Sequence, residues 1–290
     1  MIQIKTDKEI KIMREGGRIL AEVLFEVLSH AKVGVSELKL DKLAEALIGK
    51  KGGDPGFKKV KGYRHAICVS TNNTVVHGIP TTYKLREGDI IGIDCGVYYK
   101  GFHTDMAQTL RVKSQISTHS TGSHSSLSLR AHPSKSKTGL MPSEVEASNL
   151  KSQRYGRIDK FLETGKNALE EAIKVAKVGN RVGHISRTIQ DIVEGEGYSV
   201  VRSLVGHGVG RKLHEEPEVP GFLATKIENT PNLDSGMTIA IEVIYNMGKK
   251  DVVYLNDDGW TIKTKDKSLS GLFERTIAVT KDGPVILTKQ

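Results

Sequence analysis

Only two cysteines, Cys68 and Cys95, occur in the 290 residues. They form no C-x-x-C pair and no zinc-finger spacing, which excludes a zinc ribbon and a disulfide framework. Both read as buried thiols in a reducing compartment. Long apolar runs are missing too. No stretch approaches the roughly 20 apolar residues that a membrane-spanning helix needs, so no membrane partner is expected. The first residues, MIQIKTDKEIKIMREGG, mix charges with isolated apolar positions. Without a continuous apolar stretch no secretory signal is expected there, and the expected location is cytoplasmic. Aromatic residues make up only 5%, with one tryptophan, Trp260. Acidic excess is absent: the formal net charge is +9. That charge reads as a basic surface that aids solubility. Attraction to a polyanion would be a secondary property, because no nucleic-acid motif accompanies it.

What is present fits a soluble globular protein, with 38% hydrophobic and 27% charged residues. The length allows one large domain or two small ones. Thr6 and Glu9 form a T-x-x-E capping box that opens a helix. Its apolar stripe runs through Ile10, Met13, Ile19, Leu20, Val23, Leu24, Val27 and Leu28. A second helix is expected from about Ser36. The tetrad A-K-V-G at 31–34 returns at 176–179. At that offset Leu40 matches Ile185, Leu47 matches Ile192, Ile48 matches Val193 and Gly52 matches Gly197. Helix, A-K-V-G, helix, glycine is thus written twice, which points to a duplicated half-domain around a central crevice.

After each helix pair the pattern turns to strands. Residues 67–80 read as two strands around a turn at 71–73, and 89–112 as a hairpin turning at Lys100-Gly101. Residues 237–243 and 272–280 alternate like strands. The expected class is α+β with antiparallel sheet and flanking helices. Residues 114–153 hold 12 serines and no aromatic residue. Such a stretch buries too little apolar surface to offset its ordering entropy. The expected organisation is an N-terminal half at 1–113, a flexible insertion at 114–158 and a C-terminal half at 159–290. His119, His124 and His132 in the insertion read as solvated loop residues.

Five residues stand out. Asp94 interrupts the apolar run I-I-G-I-D-C-G-V, where a carboxylate is costly unless paired or metal-bound. Asp105 lies on the returning arm of the same hairpin, and its parity puts it on the same face. Two adjacent carboxylates repel, and a divalent cation would remove the repulsion. Glu242 shares a strand face with Thr238 and Ala240, and Glu274 with Thr276 and Ala278. Either glutamate alone could be an ion-paired strand residue, with Arg275 as the nearby cation. His207 sits among glycines in G-H-G-V-G-R; His214 and His77 are further histidines next to turn signals. Four carboxylates and one imidazole suit a pair of divalent ions such as Mn, Fe, Co or Zn. Such ions, about 3.5–4 Å apart, activate water for hydrolysis.

The motifs V-V-H-G-I-P at 75–80, G-D-I-I-G-I-D at 88–94, G-F-H-T-D at 101–105, G-H-G-V-G-R-K-L-H-E-E-P at 206–217, G-M-T-I-A-I-E at 236–242 and S-L-S-G-L-F-E at 268–274 follow in order. Together they resemble the type I (bacterial-type) methionine aminopeptidases over residues 1–113 and about 160–290. The resemblance implies the pita-bread fold with its internal pseudo-two-fold. It implies that Asp94 chelates one ion, that His207 and Glu242 bind the other, and that Asp105 and Glu274 bridge. It assigns His77 and His214 to substrate contact and to stabilising the tetrahedral intermediate, and Glu242 to handling the proton of the attacking water. Phe57, Tyr63, Cys68, Leu213 and Trp260 match the pocket for the methionine side chain. Three positions depart from the family pattern: Val243 stands for a proline, Arg275 for a histidine and Leu213 for an aromatic residue. The implied activity removes N-terminal methionine from nascent chains when the second residue is small. A monomer is expected, and the basic charge leaves the ribosome surface as a further partner. A proline-directed peptidase would carry an extra N-terminal domain, which the helical unit opening at residue 6 speaks against. A non-catalytic relative that binds nascent chains or ribosomes would be expected to lose metal ligands, and all five are present.

Overall fold

The computed structural model describes residues 1–114, 144–255 and 257–290. Helices α1 (Asp7–Ser29) and α2 (Glu37–Lys50) lead into strands β1 (Asp54–Pro55), β2 (Ile67–Thr71), β3 (Thr74–Val76), β4 (Ile90–Tyr99) and β5 (Phe102–Arg111). Helices α3 (Glu144–Val175) and α4 (Val182–Gly195) lead into β6 (Ser199–Val200), β7 (Val205–Gly208), β8 (Glu215–Pro220), β9 (Thr238–Asn246), β10 (Val252–Tyr254), β11 (Ile262–Thr264), β12 (Ser270–Thr280) and β13 (Gly283–Ile286).

Helix α1 begins as its capping box requires. The Glu9 carboxylate accepts the Thr6 N–H at 2.8 Å, and the Thr6 hydroxyl accepts the Glu9 N–H at 3.4 Å. Its buried stripe of Leu20, Val23, Leu24 and Val27 packs with Leu40, Ala44 and Ile48 of α2 onto Ile67, Val69, Ile91, Ile93 and Val97. A second cluster joins Ile158, Phe161, Leu169 and Ile173 of α3, with Ile185, Ile189 and Val193 of α4, to Ile239, Ile241, Val243, Phe273 and Ile277. Each helix pair therefore covers its own sheet. The repeat is also visible in the backbone. Gly34 and Gly179 share a φ near the left-handed region (+86° and +90°), as do Gly52 and Gly197 (+79° and +81°). The last two stand just past the ends of α2 and α4, where a side chain at positive φ would be strained.

In the first sheet β4 is flanked by β5 on one side and by β2 and β1 on the other. In the second, β9 is flanked by β12 on one side and by β7 and β6 on the other, with β13 and β8 outermost. All these pairings are antiparallel. The β4–β5 hairpin turns at Lys100 (φ 46°) and Gly101 (φ 92°), the double positive φ of the tight turn that suits strand twist. The two sheets meet where β5 runs antiparallel to β12. A small sheet of β10, β11 and β3 draws strands from both halves.

Part of the expected insertion at 114–158 is helical. From Glu144 the chain is already in α3. Ile158 is buried in the second core, and the Arg111 guanidinium, stacked 4.3 Å above the Tyr155 ring, is paired with Asp159 at 2.8 Å. These contacts give the serine-poor end of the segment a reason to be helical. The rest of the segment, with His119, His124 and His132, lies outside the described residues. No helix among the described residues is long and apolar enough to cross a membrane.

Candidate active site

Strand register brings the acids together. Asp94 stands opposite Ala107 and Asp105 opposite Gly96, so the two are diagonal neighbours on one face of the β4–β5 hairpin. Glu242 on β9 stands directly opposite Glu274 on β12. His207 on β7 pairs with Ala240, two residues from Glu242 and on the same face. Ligand atoms of Asp105, His207 and Glu274 lie within 4.8 Å of one another, and His207 Nε2 is 3.6 Å from Glu242 Oε1. All five residues line one cleft of about 800 Å³ between the two sheets.

Burial dominates the electrostatics. It pushes Asp94 up to about 7, with hydrogen bonds from Asp105 and the Cys95 backbone pulling the other way. Asp105, Glu242 and Glu274 are raised well above the usual carboxylate range, first by burial and then by neighbouring carboxylates, Asp94 acting on all three. Burial holds His207 down to about 4, with nearby His214 adding to the shift. Four carboxyls without a facing cation thus resist ionisation, while the imidazole stays neutral.

The donor set fits divalent cations. Asp94 Oδ1 and Glu274 Oε1 are buried with no hydrogen-bond partner among the described residues. His207 Nδ1 lies 2.9 Å from the Gly208 carbonyl, which can only accept. Nδ1 therefore carries the proton, and the Nε2 lone pair faces the acids. Lone pairs converge here and hydrogen-bond donors do not, as a cation requires and as few other ligands would tolerate. Arg275 lies on the opposite face of β12, where its guanidinium donates to the Ala107 and Glu274 carbonyls and to Gln108. Val243, likewise, faces the second core.

Beside the acids lies an apolar pocket. Phe57, Tyr63, Cys68 and Leu213 form one buried cluster, with Val60, Ile79 and Trp260 packed against it. Tyr63 meets the Trp260 ring edge-on at 5.0 Å and the Phe57 ring at 6.2 Å. Its hydroxyl donates to the Ile67 carbonyl at 2.9 Å, which leaves the ring as the surface offered to a ligand. Cys68 stands opposite Asp94 across the β2–β4 pair, so the pocket abuts the acids. His77 (φ 55°) and His214 complete the wall; the His214 ring is 4.4 Å from that of His207. Burial lowers the pKa of both, most directly keeping them neutral near pH 7.

All twelve residues singled out in the sequence line this cleft. The N-terminal arm was not foreseen there. Gln3, Ile4 and Lys5 also line it, and Lys5 forms a buried 2.5 Å ion pair with Glu215, the neighbour of His214. A lone lysine ahead of a helix carries no signal for a partner 210 residues away.

A model of metallopeptidase family M24 matches residues 11–124 and 152–281. The chain is 39% identical over 288 residues to the methionine aminopeptidase of Clostridium perfringens, covering 99% of each chain. It is 39% identical over 289 residues to methionine aminopeptidase 1 of Bacillus subtilis, covering 100% of each. The crystal structure of the methionine aminopeptidase of Thermotoga maritima superposes over 100% of both chains with a TM-score of 0.82 and 35% identity. The chain belongs to metallopeptidase family M24, among its methionine aminopeptidases, and is a metal-dependent hydrolase with the pita-bread fold of that family.

Proposed function

We propose that the chain removes N-terminal methionine from proteins and peptides whose second residue is small, using two divalent ions held between its halves. The observation that carries this is the placement of four carboxyls, Asp105 and Glu274 buried and Asp94 and Glu242 half-buried, with the His207 lone pair in one cleft, directly beside an apolar, aromatic-lined pocket. Asp94 would hold one ion, His207 and Glu242 the other, and Asp105 and Glu274 would be shared between them. When bound, the ions supply Lewis acidity, which acidifies water and polarises the scissile carbonyl. Mn, Co, Fe and Zn all suit this ligand set.

The protein's own groups do the rest. Glu242, ionised once it faces the ions, takes a proton from the attacking water and returns it to the leaving amine. His77 and His214, held neutral, donate hydrogen bonds to the scissile carbonyl oxygen as negative charge builds there. The pocket takes the methionine side chain. Burying it contributes about 1.5–3 kcal/mol, and contact of its sulfur with the rings of Phe57, Tyr63 and Trp260 adds roughly 0.3–1.5 kcal/mol. At about 1.4 kcal/mol per tenfold, that is enough to select methionine over alanine. We place the enzyme in the cytoplasm as a monomer acting on nascent chains, with attraction of the +9 charge to the ribosome surface a secondary property.

The test is hydrolysis of Met-Ala-Ser and Ala-Pro-Phe by metal-stripped protein resupplied with Mn, Co or Fe. Methionine alone should be released, and release should stop on chelation and in Asp94→Asn. Release of alanine from Ala-Pro-Phe, or of nothing with any metal, would overturn the reading.

A further inference from the structure

Asp105 and Glu274 stand on β5 and β12, strands of different halves, yet no backbone ladder joins those strands. Besides the Arg275 guanidinium, which donates to the Ala107 carbonyl and Gln108 on the face away from the acids, two threonine hydroxyls join them. The Thr276 hydroxyl accepts the Asp105 N–H at 2.9 Å and donates to the Asp105 carbonyl at 2.8 Å. The Thr109 hydroxyl accepts the Leu272 N–H at 2.9 Å and donates to the Leu272 carbonyl at 2.7 Å. Each hydroxyl replaces both the N–H and the C=O of a missing strand partner, which a group able to donate and accept at once can do. The links are reciprocal. One threonine lies on each strand, four residues from the residue that its counterpart holds. Both threonines are buried, Thr276 completely.

The two links differ in what they hold. Thr276 grips the backbone of Asp105 itself and stands two residues from Glu274 on the same strand face. Thr109 grips Leu272, which offers no ligand atom. A residue without a hydroxyl at 276 leaves the Asp105 N–H and C=O buried and unpaired, so the strand must shift towards another partner. A shift of β5 against β12 alters the spacing of Asp105 and Glu274. Resting on the dinuclear metal reading above, we propose that Thr276 is a positioning residue. It sets the separation of the Asp105 and Glu274 carboxylates for divalent-ion binding, whereas Thr109 is its counterpart for cohesion of the halves alone.

The test is calorimetric titration of Mn²⁺ into chelator-stripped wild type, Thr276→Val, Thr276→Ser, Thr109→Val and Asp94→Asn, with thermal midpoints of the stripped proteins. Thr276→Val should weaken Mn²⁺ binding about 10–100-fold, the usual effect of removing a partner that orients a ligand. Thr276→Ser, which keeps the hydroxyl, should restore it to within about threefold of wild type. Thr109→Val should lower the midpoint about as much as Thr276→Val while leaving Mn²⁺ affinity within the same narrow range. Wild-type affinity in Thr276→Val, or an equal loss in Thr109→Val, would overturn the positioning role. If Thr276→Val does not fold, Thr276→Ala set against Thr276→Ser makes the same comparison. Absence of Mn²⁺ binding in wild type would instead strike at the metal centre and remove the basis of the proposal with it.

Discussion

At the scale of single residues the site is organised against its own charge. Asp94 is pushed up to about 7 by burial, whereas an unfolded aspartate titrates near 3.9. A carboxyl whose native pKa is raised contributes stability that is fully present below its unfolded pKa. That stability is lost as pH rises through the native value. Metal-stripped wild type should therefore lose the Asp94 contribution progressively between about pH 4 and 7, by up to roughly 1.4 kcal/mol per pH unit. Asparagine has the same shape and no charge, and the histidines are common to both proteins. The urea midpoint of stripped Asp94→Asn should accordingly exceed that of wild type by a margin that grows from pH 5 to about pH 7 and then levels off. A margin that stays constant over that range would mean that Asp94 ionises freely in the fold. The same variant should be inactive, so stability and function pull this position in opposite directions.

At the scale of elements, helix α1 shows how closely the flanking layer sits on the sheets. A Cβ added at Gly17 would stand 2.4 Å from the Leu287 carbonyl oxygen, on backbone that cannot swing aside. Leu287 in turn donates its N–H to the Thr276 carbonyl, so α1 presses on the segment that covers β12. Alanine gains about 1 kcal/mol of helix propensity over glycine, but overpacking of this kind costs about 1–3 kcal/mol. Gly17→Ala should therefore lower the denaturation midpoint, and a rise would show that α1 has room to retreat. Much of the element layer was legible beforehand because its signals are local. The T-x-x-E box opens α1, Lys100-Gly101 turns the hairpin, and the odd carboxylate in an apolar strand marks Asp94. Strand parity puts Asp105 on the face of Asp94, and Glu242 and Glu274 on faces shared with small residues. Features made by distant partners left no such mark. The Lys5–Glu215 pair, the first turns of α3 and the hydroxyl links of Thr109 and Thr276 involve residue types that are ordinary where they stand. A threonine in a strand reads only as good strand propensity.

At the scale of the molecule, two cores meet over a seam lined with acids, so whatever neutralises the acids also joins the halves. An ion that binds the folded state alone stabilises it by about 2.7 kcal/mol at a hundred times its dissociation constant. It must compete with protons on the raised carboxyls, and its affinity falls as pH drops through their native pKa values. His207, held at about 4, has already lost its proton over this range and does not compete. The upward shift in thermal midpoint produced by a fixed Mn²⁺ concentration should therefore increase from pH 6 to pH 8. The metal-free carboxyls lose stability over the same interval. Taking the shift with and without Mn²⁺ cancels the titration of unfolded histidines, which both samples share. A shift that is flat, or larger at pH 6, would mean that the ion binds without displacing protons from the acids. The seam would then owe its cohesion to the strand contacts, the hydroxyl links and the Arg275 bonds.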